Sequence, residues 1–210
     1  MSIDVRQGSP EWRAARLGKL TASRLDDALA KTAKGWGAGR FNLMASLIAE
    51  RLTGEVSVTF TNGAMQWGHD NEPFAADAYA FRTDADVQEV GFVDHPTIAM
   101  SGASPDRLVG ADGLLEVKCP NTATHLDTLL AGDVPAKHRT QIGWQLACTS
   151  RAWCDFVSFD PRLPEHVRLF VKRVRRDDTF IAELEREARV FLAELDAKIA
   201  AVTAACARAA

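Results

Sequence analysis

The 210-residue sequence has no apolar run approaching the roughly 20 residues that a membrane-crossing helix needs, so no membrane span is expected. Its opening residues, Met1-Ser2-Ile3-Asp4-Val5-Arg6, lack the apolar segment of a secretory signal. There is no Cys-x-x-Cys pair. Cys119, Cys148, Cys154 and Cys206 show no zinc-like spacing with histidine, and free thiols in a reducing cytoplasm are expected. His69, His95, His125, His138 and His166 form no HExxH-type pair and read as surface or incidental residues. The sequence has no P-loop, no GxGxxG and no GxSxG, which removes support for ATP, nicotinamide and serine-hydrolase chemistry. It also lacks an excess of positive charge. With 25 Lys and Arg against 28 Asp and Glu, the net charge is −3. That argues against a simple nucleic-acid coat protein, but not against an enzyme whose acidic site is ringed by local basic patches. No internal repeat is present.

What is there fits one domain with a real core, 47% of its residues being hydrophobic. Ser9-Pro10-Glu11 starts a helix that Gly18 stops. A second helix is predicted over 24–33, followed by a Gly-rich, mobile loop at 34–39. A third runs over 40–53 and a fourth over 63–82, the last with Phe74, Ala78 and Phe81 as its apolar stripe. Strands are expected at 87–94, 98–101, 107–110 and 114–119. Helices follow at 121–130 and 135–148, strands at 152–159 and 166–174, and a long amphipathic helix at 177–204. This order gives an α/β (α+β) domain with a mixed central sheet flanked by helices. Basic residues cluster at Arg13, Arg16, Lys19, Arg24, Lys31, Lys34 and Arg40, and again at Lys172, Arg173, Arg175 and Arg176, where they read as a solvated surface.

The most informative string is Ser104-Pro105-Asp106, followed ten residues later by Glu116-Val117-Lys118. Ala111-Asp112-Gly113 reads as a tight turn, because Asp-Gly tolerates positive φ. Period-two alternation then puts Glu116 and Lys118 on one face and Leu115 and Val117 on the other. Asp106 comes near Glu116 with Lys118 beside them. Two adjacent carboxylates repel unless a cation lies between them. A hard divalent ion such as Mg²⁺ suits oxygen ligands and activates water, and Lys118 supplies a fixed positive charge. Glu72, on the preceding helix, is a candidate third ligand. Gln141 and Gln145, four apart on a helix, share a face and offer amides that accept from water and donate to phosphate. Arg16, Thr21 and Ser23 surround a helix start and form a candidate anion pocket.

These segments together resemble the YqaJ-type viral recombinase family, to which phage lambda exonuclease belongs, within the PD-(D/E)xK nucleases. The blocks that carry the resemblance are Glu11–Ser23, Gly68–Glu72, Ser104–Asp106 with Glu116–Pro120, and Gln141-x-x-x-Gln145. It implies a restriction-endonuclease-like core and 5′→3′ degradation of one strand of linear duplex DNA with Mg²⁺, for which Mn²⁺ substitutes, as one or two ions. It implies Asp106, Glu116 and the Val117 carbonyl as metal ligands, with Glu72 as a further acid, Lys118 as the catalytic lysine and Gln141 as a helper. Arg16, Ser23, Ser104 and Thr21 would hold a 5′-phosphate, with Gln145 and Arg107 also on the DNA side. Relatives often carry Gly after Pro-Asp, so Arg107 departs from the pattern; it contacts DNA or alters the local turn. A homotrimer, double-stranded DNA ends as partner, a single-strand annealing protein and a cytoplasmic location are also implied. The division expected is a single nuclease domain over 1–210, with N-terminal helices at 9–53, a catalytic core at 63–175 and a C-terminal helix at 177–204. The rival readings are an endonuclease of the same fold, a non-catalytic DNA-end-binding module and a small-molecule hydrolase.

Overall fold

The structure, a computed structural model, describes residues 5–56 and 62–209; the first four residues of the segment read above for a leader lie outside it. Its elements in chain order are α1(Pro10–Arg16), β1(Leu20–Thr21), α2(Ala22–Leu29), β2(Lys31–Thr32), β3(Gly35–Trp36), α3(Ala38–Thr53), α4(Gly63–Thr83), β4(Val87–Gln88), β5(Val93–Asp94), β6(Ser101–Ala103), β7(Arg107–Val109), β8(Gly113–Lys118), α5(Thr122–Ala131), α6(Ala136–Thr149), β9(Trp153–Phe159), β10(Leu169–Arg175) and α7(Asp178–Ala209). No helix among the described residues is long and apolar enough to cross a membrane.

Local chemistry sets the helix ends. The Ser9 hydroxyl accepts the Trp12 N–H at 3.1 Å, and Pro10 opens α1 where an N–H has no partner in any case. Asn62 and Asn121 cap α4 and α5 in the same way. The Asp177 carboxylate accepts from the Thr179 and Phe180 amides at the start of α7. Gly54 stops α3 in the left-handed conformation that a Cβ disfavours.

The fold is a mixed α+β one. A five-stranded sheet runs in the order β10-β9-β8-β7-β4, parallel only between β8 and β9, which α5 and α6 connect. A three-stranded sheet, β1-β6-β5, lies near α2 and α6. Helix α4 covers one face of the large sheet, where Ala75, Ala76 and Tyr79 meet Leu115, Val117 and Val157. Helix α6 covers the other, with Ile142 and Leu146 on Leu114 and Phe156. A third apolar cluster joins α2, α3, α6 and α7 through Leu25, Leu47, Trp144 and Phe191.

Several expectations are corrected. The stripe of α4 is not Phe74–Ala78–Phe81. Phe74 and Phe81 are 63% and 91% exposed, and the buried face is Ala75, Ala76 and Tyr79. Small alanines let the helix approach the sheet, and the tyrosine hydroxyl is satisfied there by Asp155 at 2.7 Å. Helix α2 ends at Leu29, and 31–36 forms the short hairpin β2–β3 instead of continuing the helix into a loop. The stretch 87–94 divides between the two sheets, and the strand read at 98–101 lies instead at Ser101–Ala103. In the β7–β8 hairpin the positive φ falls on Gly110, at +50°, not on Asp112-Gly113. Gly113 pairs with Trp153 on β9, and a Cβ there would lie 2.2 Å from the indole, so packing excludes a side chain. His95 and His125 are buried, not surface, residues. The four cysteines are free, as expected.

Candidate active site

A cavity of about 700 Å³ opens where the end of the β7–β8 hairpin meets α4, α1 and the start of α6. Its wall includes Asp106, Val117 and Lys118 from the hairpin region and Glu72 from α4. The pairing of β7 with β8 reaches only to Arg107 opposite Leu115. Beyond that point the edge of β8 is open, and the N–H and C=O of one strand residue point to the same side. The Asp106 carboxylate fills the gap by accepting the Val117 N–H at 2.6 Å. By the same strand geometry the Val117 carbonyl points to that edge, and Val117 lines the cavity.

Alternation along β8 runs as the sequence dictates. Leu115 and Val117 pack under α4, while Glu116 turns toward α6. Glu116 is fully buried. One of its oxygens accepts from the Gln145 amide at 2.6 Å; the other lies against the Lys118 ammonium and takes no well-directed hydrogen bond. Burial, together with the Glu116 and Glu72 charges, pushes the Asp106 carboxyl well above the usual carboxylate range, against the opposing pull of Lys118 and the Val117 N–H. Burial works against the charge on Lys118. The Glu116, Asp106 and Glu72 carboxylates outweigh it and raise the ammonium above its ordinary value, so it stays charged.

Two further groups on the wall are silent acids and bases. Burial, with Glu72 and Asp106 nearby, pushes the Cys119 thiol up to about 12, so it offers no thiolate. His138, stacked on Phe156 with ring centroids 5.4 Å apart, is driven down to about 3 by burial and by Lys118 and Lys137, and stays neutral.

Glu72 faces the same cavity but is held differently. Arg107 places one guanidinium nitrogen 3.1 Å from a Glu72 oxygen and 2.5 Å from the Asp106 carbonyl, with Glu89 at 4.0 Å from another. Among the described residues, no three His, Cys, Asp or Glu side chains converge as a ready ion cage. Glu72 and Asp106 line the same cavity, Glu116 lies buried against Lys118, and Glu72 is paired with Arg107. Two carboxylates and a carbonyl still form an all-oxygen donor set. That set suits Mg²⁺, which binds through few protein ligands and keeps several waters. The Glu116 oxygen that faces Lys118, which takes no well-directed hydrogen bond, is the one left for the same ion.

A second cavity of about 490 Å³ shares the Trp12, Arg13 and Met65 wall with the first. It gathers Arg16, Thr21, Ser23 and Arg24. Arg16 lies over the Trp12 ring at 4.1 Å and donates to the Ser104 hydroxyl at 3.1 Å; the Trp12 indole N–H donates to the same oxygen at 2.9 Å. The hydroxyls of Thr21 and Ser23 lie 3.4 Å apart, and Thr21 does not cap α2 with its side chain. Burial, then the neighbouring Arg24 charge, lowers Arg16 to about 10 despite Glu50. This is a cationic pocket short of anions.

Placement differs from expectation for Gln145. It was assigned to the DNA side, but it is fully buried and bonded to Glu116. Gln141, one turn earlier, is half-buried. Sequence reasoning missed Arg24 as a wall of the anion pocket and Glu50 as its anchor. Glu50 accepts from the Gly18 N–H at 2.9 Å and from Arg24 at 3.3 Å. The signal was available: Leu43, Leu47 and Glu50 lie on one face of α3, and an acid at a core position requires partners. His125 was also missed. Its Nε2 donates to the Val167 carbonyl at 2.9 Å, so Nδ1 accepts from the Ser158 hydroxyl at 2.8 Å behind the cavity.

The profile of the YqaJ-like viral recombinase domain matches residues 11–152. No curated protein matches the sequence. Among solved structures, an alkaline exonuclease (LHK-Exo) from Laribacter hongkongensis is 50% identical, with 96% of this chain and 100% of that one covered and a TM-score of 0.90. LHK-Exo in complex with dAMP gives the same identity and coverage with a TM-score of 0.91. A phage-related exonuclease from Haemophilus somnus 129PT, at 13% identity over 88% of this chain and 96% of that one, shares the fold with a TM-score of 0.69.

Proposed function

The chain belongs to the YqaJ-like viral recombinase family, and from that premise we propose that it is a Mg²⁺-dependent 5′→3′ exodeoxyribonuclease. It degrades one strand of linear duplex DNA from its end, in recombination by single-strand annealing. The observation that carries this reading is the common wall of Trp12, Arg13 and Met65, which joins an acidic, oxygen-lined cavity to a cationic one. That pairing suits a polymer with a terminal phosphate better than a small ester.

Asp106, Glu116 and the Val117 carbonyl would hold the ion, with Glu72 at its margin. When bound, Mg²⁺ lowers the pKa of a coordinated water and draws charge from the scissile phosphate. Lys118, kept charged by its acidic neighbours, orients the attacking water or offsets charge developing on the phosphate. Gln145 keeps Glu116 aimed by its buried hydrogen bond, and Gln141 assists from the same helix. Arg16, Arg24, Ser23 and Ser104 receive the 5′-phosphate, with Thr21 supporting Ser23. A homotrimer around the duplex and a single-strand annealing partner complete the proposal; both are drawn from the family.

The test is digestion of linear and covalently closed duplex DNA with Mg²⁺ by wild type, Lys118→Ala and Glu116→Ala. Linear DNA should be consumed by wild type alone, and closed circles left intact. Robust cleavage by both variants would remove the site assignment, and cutting of closed circles would favour the endonuclease.

A further inference from the structure

Taking the Asp106–Glu116 cavity as the divalent-ion site proposed above, we infer that Gln7 is a positioning residue for Asp106, acting through the backbone of Pro105. Residues 104–106 cross from the three-stranded sheet to the five-stranded one. The last ladder pair before them is Ala103 with Val93, and the next is Arg107 with Leu115. Between those pairs, side chains hold the crossing. Trp12 and Arg16 donate to the Ser104 hydroxyl. Pro105 has no N–H to give, but its carbonyl accepts from the Gln7 side-chain amide at 2.7 Å. An amide nitrogen has two N–H donors, and this one also reaches the Val90 carbonyl at 2.9 Å. Val90 is buried in the link 89–91, where the chain passes from β4 in the large sheet to β5 in the small one. One amide thus ties the outward crossing between the sheets to the return crossing, and the return crossing carries Asp106.

The surroundings of Gln7 suit this role. It sits in a turn closed by the Ser9 N–H on the Arg6 carbonyl at 3.2 Å. Gly8, at φ +84°, supplies a conformation that a Cβ disfavours and sends the chain on into α1. Gln7 and Asp106 both line the large cavity, and both also line a further one of about 420 Å³ with Arg6, Val90 and Arg107. Bordered by both spaces, the Pro105–Asp106 peptide has little close packing to fix it, so its hydrogen bonds must. Asp106 spends one carboxylate oxygen on the Val117 N–H, and the aim of the other follows the peptide that Gln7 holds. Residues that orient a ligand from behind typically change metal affinity by about ten- to a hundredfold when lost. The chemistry required is narrow: two donors on a side chain of this length, because a carboxylate would present only acceptors to two carbonyls.

The experiment is Mn²⁺ titration of the free protein by electron paramagnetic resonance, with kcat and KM measured beside it on 5′-phosphorylated linear duplex. Gln7→Met keeps the side-chain length and removes both donors. It should weaken Mn²⁺ binding by roughly ten- to a hundredfold and lower kcat at a fixed ion concentration, with KM for the duplex within about twofold of wild type. Raising Mn²⁺ should restore most of the lost rate, which a general loss of structure would not allow. Gln7→Asn keeps the donors on a chain one carbon shorter and should fall between the two; it carries the test if Gln7→Met does not fold. Wild-type Mn²⁺ affinity in the variants, a loss confined to KM, or a rate that added Mn²⁺ does not restore would each overturn the inference while leaving the nuclease reading intact. No Mn²⁺ bound by wild type would overturn both.

Discussion

Removing Arg16 should cost the protein its preference for a phosphorylated DNA end and little else. Among the described residues no carboxylate forms an ion pair with Arg16; it is held by the Trp12 ring and the Ser104 hydroxyl, beside the like charge of Arg24. Its displacement below the usual guanidinium range, to about 10, means that keeping it charged at neutral pH costs the fold up to about 3 kcal/mol, an upper value because the side chain is partly solvated. A terminal phosphate removes much of that cost and gains charge-assisted hydrogen bonds of about 1.5–3 kcal/mol. At about 1.4 kcal/mol per decade, Arg16→Ala should lower kcat/KM on 5′-phosphorylated duplex by roughly ten- to a hundredfold. Activity on the 5′-hydroxyl duplex should stay nearly the same. Arg24→Ala should lose less, because Arg24 is partly committed to Glu50. Steady-state digestion of the two substrates at one fixed salt concentration measures all of this. Inorganic phosphate should also raise the Tm of wild type but not of Arg16→Ala. A wild type indifferent to the 5′ group, or an Arg16→Ala variant that slows both substrates equally, would refute the reasoning.

Two further outcomes are expected. Gln145→Leu leaves a Glu116 oxygen buried without its donor, a loss of about 2–3 kcal/mol that should lower Tm by roughly 5–10 °C and slow cleavage; an unchanged melting curve would count against the role of this hydrogen bond. His138, at about 3 in the fold against 6.5 ordinarily, is neutral when folded but takes up a proton when unfolded below pH 6.5. Stability should therefore fall as pH drops from 7 to 5 and level off above 7, and His138→Phe should flatten that decline by up to about 2 kcal/mol in urea unfolding. An equally steep decline in the variant would contradict it.

Much of this was legible in the sequence because short-range rules decide it. Ser9-Pro10 sets a helix start, and strand alternation puts Glu116 and Lys118 together whatever the rest of the chain does. What escaped depends on contacts distant in sequence. Phe74 and Phe81 look like a core stripe until Tyr79 finds Asp155, 76 positions away. Gly113 looks like a turn residue until Trp153 occupies the space where its side chain would be. Gln145 looks like a surface amide until β8 brings Glu116 beneath it. Arg107 was recognised as a departure from its relatives, but its partner, Glu72, lies 35 positions away.

The bond from Asp106 to the Val117 amide has a consequence for how the molecule matures. It exists only if β7 and β8 are zipped in one alignment, because a shift of a single residue would offer Asp106 a different amide and turn Glu116 toward the opposite layer. The candidate site thus depends on the correct pairing of its own scaffold. A half-assembled or misthreaded sheet carries the same residues yet does not bring them together, so the proposed activity would arrive only with the finished sheet.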